Sequence, residues 1–134
     1  MTDVEDGTIP EDAKPDPSEL GFDLDRTLDA VVGLRADIPE DAFTAEPLGT
    51  ERQGAGAVID KSGLVLTVGY LVTEATQAWL TTNQGRAVPA DVMAFDQTTG
   101  LGLLQALGDL EVPVLEIAPA AGAKVGSRVV VAGA

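Results

Sequence analysis

The chain has 134 residues, 45% of them hydrophobic, and this length and composition suit one domain with a modest core. It contains no histidine and no cysteine, which excludes a conventional Ser-His-Asp or Cys-His catalytic site, and any disulfide framework, from this chain alone. A net charge of -14 predicts repulsion from nucleic acids and from anionic membrane surfaces. We therefore expect no nucleic-acid partner and no membrane association, and nothing in the sequence indicates a cofactor or a metal site.

The first 26 residues differ in composition from the rest. Nine of them are acidic and two are basic, while Pro10, Pro15 and Pro17 disfavour regular structure. This composition predicts a flexible acidic arm over residues 1–26, followed by a folded domain over residues 27–134. The arm either attracts a basic partner or serves as a solubilising tail, and we favour the tail. The N-terminus has neither the basic start nor the apolar run of a signal peptide, so the sequence as it stands predicts a cytoplasmic location.

After residue 28, short apolar runs alternate with glycine, proline and aspartate. Strands are predicted at residues 30–38, 54–59, 64–68, 76–81, 86–95, 101–107, 113–117 and 128–131. A helical turn can precede the first of them, and residues 40–53 are polar and typical of a loop. Asp60 and Gly63 bound a turn that closes a hairpin. Short strands with regular turn signals predict an antiparallel barrel or sandwich, and the pattern alone does not separate the two.

One stretch carries a more specific signal. Residues 54–67, GAGAVIDKSGLVLT, resemble the G-S-G-x-I-I-D-x-x-G-x-I-L-T block of trypsin-like proteases of the high-temperature-requirement (Deg) type. Residues 83–90, 96–104 and 125–133 resemble three further blocks of that family, in its order and at its spacing. The resemblance implies an all-β fold, the six-stranded antiparallel Greek-key barrel that forms the first half of the chymotrypsin-like fold. In that family the active site lies between two barrels, of which the first supplies histidine and aspartate and the second supplies the serine.

The resemblance also implies that the catalytic positions are degenerate. Tyr70 stands where the family has its histidine, and Gly100 stands where it has its aspartate. The three serines, Ser18, Ser62 and Ser127, lie outside any G-x-S-x-G setting. A phenol with an ordinary pKa of about 10 is a poor base at neutral pH, so Tyr70 does not replace the histidine. Tyr70 is then either a binding contact in the former cleft or, as we favour, an aromatic that fills the space left by the lost side chains.

Three functions follow as hypotheses. The first is a non-catalytic, protease-like module that binds a protein partner, or self-associates, through the face that meets the second barrel in the family. The second is a fragment of a larger two-barrel serine protease homologue, which would still lack the histidine and the aspartate. The third is an enzyme of another class that uses an acidic metal site, and nothing positive in the sequence supports it. We expect no enzymatic activity.

Overall fold

The computed structural model describes residues 8–134. Its strands are β1 (Val31–Asp37), β2 (Glu51–Asp60), β3 (Leu64–Val68), β4 (Gln77–Thr81), β5 (Ala87–Asp96) and β6 (Leu101–Ala106). Two short helices are present, α1 (Leu24–Asp29) before the first strand and α2 (Ala45–Leu48) between the first two. Single turns of 3-10 helix lie at Glu11–Ala13, Pro17–Glu19, Gly69–Leu71 and Ala120–Gly122.

The six strands form one closed antiparallel barrel. Their order around the barrel is β1-β2-β3-β6-β5-β4, so the connection from β3 to β4 joins strands that are not neighbours. This is the Greek-key barrel that the family resemblance implied. A closed barrel leaves no unpaired sheet edge.

Alternation of side chains along the strands builds the core. In β1, the alternate residues Val32, Leu34 and Ala36 are buried. Aliphatic side chains from all six strands and from the β3–β4 connection form the main core with Val32 and Leu34. The largest fully buried side chains are Leu80, Leu104, Val32, Val65 and Val72. The low aromatic content of the sequence, 4%, is consistent with this aliphatic core.

Because the strands alternate in direction, three connections lie at the same end of the barrel. They are residues 38–50 between β1 and β2, residues 69–76 between β3 and β4, and residues 97–100 between β5 and β6. We call this end the loop end. The hairpin turn at residues 61–63, which the sequence predicted, lies at the opposite end.

Two of the predicted strands do not form in the C-terminal part of the chain. Residues 113–117 and 128–131 have no strand pairing, although the Leu115 amide donates one hydrogen bond to the Val58 carbonyl at 2.8 Å. Both runs are apolar, but the barrel closes without them and offers no free edge. The side chains of Val129 and Val131 are accordingly exposed. The predicted loop at 40–53 is also partly wrong, since it contains α2 and the first residues of β2.

The predicted acidic arm stays a prediction. Residues 1–7 of it lie outside the described residues. In the remainder, α1 crosses the predicted domain boundary, and its Leu24 is buried. Arg128 forms an exposed ion pair with Glu19 at 3.3 Å, which places the C-terminal segment beside residues of the predicted arm.

Candidate functional site

Tyr70 and Gly100, which the sequence predicts to occupy the family's catalytic positions, lie in neighbouring turns at the loop end. The amide of Gly69 donates a 2.6 Å hydrogen bond to the carbonyl of Gly100, and Tyr70 follows Gly69 in the 3-10 turn. Main-chain atoms alone make this connection. The two turns that carry the histidine and the aspartate in the family therefore lie side by side in this chain too, although neither side chain is present.

Gly100 has a conformational role in its turn. Its φ of +73° lies in the left-handed region, and its amide donates to the carbonyl of Asp96 at 2.8 Å. A side chain at Gly100 would meet no atom within 4 Å, so the position faces open space. Glycine at this position therefore allows the turn from β5 to β6 to close.

The carboxylate of Asp96 organises the same turn. It accepts hydrogen bonds from the hydroxyl of Thr99 at 2.9 Å and from the amide of Thr98 at 3.0 Å. The hydroxyl of Thr99, and then the amide of Thr98, hold the pKa of Asp96 below its ordinary value because they stabilise the charged form. Asp96 therefore caps this turn, and Asp60 caps the β2–β3 turn in the same way by accepting a hydrogen bond from the amide of Ser62.

Phe95 packs against the junction of the two turns. Gly69 has no room for a side chain, because a methyl group there would overlap the Phe95 ring and come within 3.1 Å of the Gly100 carbonyl. Gly102, which lies opposite Phe95 in the β5–β6 register, approaches the Cα of Gly69 closely. The space beside the two turns is therefore filled by Phe95.

Tyr70 does not fill that space. Its side chain is 53% exposed, so the favoured prediction of a repacked aromatic is wrong, and the alternative of a binding contact remains open. Next to it, Val68 pairs with Leu101 across β3 and β6, and both are about half exposed. We call the set Val68, Tyr70, Phe95 and Leu101 the cleft flank, since it surrounds the positions that face the second barrel in the family.

A buried arginine, which the sequence analysis missed, joins two of the three loops. Arg52 is 3% exposed, and its Nη1 donates to the carbonyls of Tyr70 at 2.6 Å and Thr73 at 3.1 Å. Its Nη2 donates to the hydroxyl of Thr44 at 2.7 Å, to the Thr44 carbonyl at 3.2 Å and to the Gly49 carbonyl at 3.4 Å. None of the ion pairs found within residues 8–134 involves Arg52. Its charge is therefore compensated by peptide oxygens and one hydroxyl, which fixes residues 44–49 relative to the Tyr70 turn.

The serines lie in separate local turns. The hydroxyl of Ser18 donates to Asp16, the amide of Ser62 donates to Asp60, and the hydroxyl of Ser127 accepts from the Lys124 amide. Within residues 8–134, no three histidine, cysteine or carboxylate residues cluster in a way that could hold a metal ion. No helix in the same range is long and apolar enough to cross a membrane.

Several solved structures of proteases have a fold similar to this barrel. Two structures of the HtrA-type protease AlgW with a tripeptide match with a TM-score of 0.63 and 19% sequence identity, over 75% of this chain. A serine endoprotease from Yersinia pestis matches with a TM-score of 0.57 and 23% identity, over 71% of this chain. The matched region is 30% of the AlgW chain and 31% of the Yersinia chain, so this chain spans less than a third of these proteins. Among curated protein sequences, none matches it.

The barrel therefore has the fold of the N-terminal half of a trypsin-like protease. The family model for the trypsin-like peptidase domain matches residues 54–134, which is more than half of the chain. The chain belongs to the trypsin-like peptidase domain family.

Proposed function

We propose that the chain is a non-catalytic, protease-like module, and that it binds a protein partner or a second copy of itself through the cleft flank. The observation that supports this most is the exposure of the four cleft-flank side chains. Val68, Tyr70, Phe95 and Leu101 are between 40% and 53% exposed, and all lie around the junction of Gly69 and Gly100. Contiguous apolar side chains of this kind on a soluble protein mark an interaction surface.

The chemistry of the same residues argues against hydrolysis. Proton transfer from a nucleophile at neutral pH needs a base, and the chain has no histidine. The turn that would orient such a base carries Gly100, which has no side chain to accept a hydrogen bond. The hydroxyls of Ser18 and Ser127 are engaged in their own turns, away from Tyr70.

Self-association is tested by measuring mass as a function of protein concentration, with light scattering after size exclusion. We expect the mass to rise toward a dimer or a larger assembly, and Leu101→Ser to weaken that association by about tenfold. Leu107→Ser is the matched control, because Leu107 is 57% exposed and lies just beyond the opposite end of β6. A monomer at every concentration would exclude self-association, and equal effects of the two variants would place the interface elsewhere.

The absence of catalysis is tested by casein hydrolysis. We expect no cleavage by the chain, and none after the family residues are restored by Tyr70→His together with Gly100→Asp, because no serine lies beside them. Gly100→Asp is sterically open but places a side chain at positive φ, with an expected loss of about 1 kcal/mol in stability. Cleavage that copurifies with the wild-type chain and resists inhibitors of contaminating proteases would contradict the proposal.

A second candidate is a part of a longer two-barrel protease homologue. The observation that favours it is that the chain corresponds to 30% of the AlgW chain. This candidate predicts an open reading frame beyond the codon of Ala134 that carries a G-x-S-x-G block. The cleft flank would then be covered by the second barrel. Tyr70 and Gly100 would still leave the ordinary mechanism without its base and its orienting carboxylate.

A further inference from the structure

Phe43 has the most exposed aromatic side chain among the described residues. It is 97% exposed and lies in the loop between β1 and β2, at the same end of the barrel as Tyr70. Its neighbours face inward: Ala45 is buried with Ala36 and Ile38 in a small second core, and Ala42 packs against them. The loop is therefore folded onto the barrel, and Phe43 is the member of it that is directed away from the protein.

The main chain on either side of the Phe43 ring is held in place. The two carboxylate oxygens of Glu74 accept hydrogen bonds from the amides of Phe43 and Thr44, both at 3.0 Å. Glu74 adopts a φ of +62° in the left-handed region, which is unfavourable for a glutamate. From the other side, Arg52 binds the hydroxyl and carbonyl of Thr44. A side chain on such a fixed loop loses little conformational freedom when it binds, which favours its use as an anchor.

The exposed charges in the segment that carries Phe43 have one sign, while the nearby Arg52 is buried. Residues 40–51 contain four acids and no base, and all four acids are exposed. They are Glu40, Asp41, Glu46 and Glu51. Leu48, which is 45% exposed, adds a second apolar side chain to the same segment. The arrangement is an apolar anchor with an acidic rim, and we call residues 40–51 the Phe43 loop.

We propose that the Phe43 loop docks a cationic protein segment. Phe43 would insert between apolar side chains of that segment, while its lysine and arginine residues would pair with the acidic rim. Charge complementarity selects this partner, since an acidic protein or an anionic surface would be repelled by the same rim. This surface is distinct from the cleft flank, so the inference does not depend on the proposed function.

The test uses the full chain and two short labelled peptides of equal length and charge. One peptide carries lysine and leucine in amphipathic spacing, and in the other each leucine is replaced by serine. Phe43→Ser should weaken binding of the lysine–leucine peptide by about tenfold in fluorescence anisotropy, because the anchor is lost. The lysine–serine peptide should bind more weakly and should not distinguish the variant from the wild type. Added salt should weaken both interactions.

Phe22→Ser is the matched control. Phe22 is 47% exposed and lies in the acidic segment beside Asp23, so it has the same chemistry in a similarly charged setting away from the loop end. Equal losses for Phe22→Ser and Phe43→Ser would overturn the proposal, because binding would then reflect the overall acidity of the protein. No loss for Phe43→Ser would overturn it as well.

A third variant tests whether the fixed loop matters. Glu74→Gly removes the carboxylate that holds Phe43 and Thr44, and it also relieves the left-handed strain, so the fold should be kept. We expect weaker binding of the lysine–leucine peptide and faster exchange of the Phe43 amide hydrogen, with the barrel amides unchanged. Unchanged affinity despite faster exchange would show that preorganisation is not part of the interaction and would overturn that step.

Discussion

Replacement of Arg52 by methionine tests how the loop end is held together. Methionine keeps an unbranched apolar stem and has no charge, so Arg52→Met removes the five hydrogen bonds that connect residues 44–49 with the Tyr70 turn. A buried acceptor without a donor costs about 1–3 kcal/mol. The three shortest bonds leave three such acceptors, the carbonyls of Tyr70 and Thr73 and the hydroxyl oxygen of Thr44. Removal of the charge also recovers a desolvation penalty of several kcal/mol, and some acceptors will be rehydrated. The expected net loss in the free energy of unfolding is about 2–4 kcal/mol.

The assay is equilibrium unfolding in urea, followed by far-ultraviolet circular dichroism. Arg35→Met is the matched control. Arg35 lies on the neighbouring strand, opposite Gln53, and its side chain is 54% exposed. It forms a 3.8 Å ion pair with Asp37. We expect the control to change stability by less than about 0.5 kcal/mol. Arg52→Lys should recover little, since one ammonium group cannot span acceptors on both loops as the guanidinium fork does. A loss below about 0.5 kcal/mol for Arg52→Met would refute the idea that Arg52 stabilises the loop end.

Two further predictions concern the other contacts of the same end. Gly69→Ala should destabilise the fold by about 1–3 kcal/mol, because the added methyl group overlaps the Phe95 ring. In a double-mutant cycle, Phe95→Ala should relieve part of that loss. The control Gly122→Ala should be neutral, since a methyl group there meets no atom within 4 Å. The hydroxyl of Thr99 is the main cause that lowers the pKa of Asp96. The Asp96 carboxylate therefore contributes stability above the unfolded-state pKa of about 3.9, and this stability is lost as pH falls through the lower folded-state pKa. Thr99→Val should therefore raise the pKa of Asp96 toward its ordinary value in an NMR titration, and an unchanged pKa would contradict the assigned cause.

The local signals of the sequence predicted most of the strands, and the family resemblance predicted that they form a barrel. The hairpin of β2 and β3 follows from alternating apolar residues around Asp60 and Gly63, and the structure confirms it. The runs at 113–117 and 128–131 have the same apolar character, but strand formation also needs a free edge, and the closed barrel provides none. Whether an edge is available is a property of the complete topology and cannot be predicted from a local window.

Arg52 shows what could have been predicted at the site and was not. Extension of the inward alternation of β2 back from Val58 through Gly56 and Gly54 reaches Arg52, so its burial follows from the strand period. Its polar neighbours are typical of a loop, and four of its five acceptors are main-chain oxygens, which a sequence does not distinguish from one residue to another. The role of Gly100 was hidden for a similar reason, because a positive φ is not visible from a motif comparison.

The contacts at the loop end explain how this barrel can keep its shape without a histidine at position 70 or an aspartate at position 100. In a site held by a histidine and an aspartate, loss of either leaves a buried partner unsatisfied. Here the Gly69–Gly100 hydrogen bond joins main-chain atoms, and Arg52 binds mostly carbonyls, so neither connection needs a particular side chain at position 70, whereas the positive φ of residue 100 favours glycine there. Substitution of Tyr70 can therefore change what the surface binds while the three loops stay in place. We therefore expect any binding function to lie at the exposed side chains of the cleft flank and the Phe43 loop.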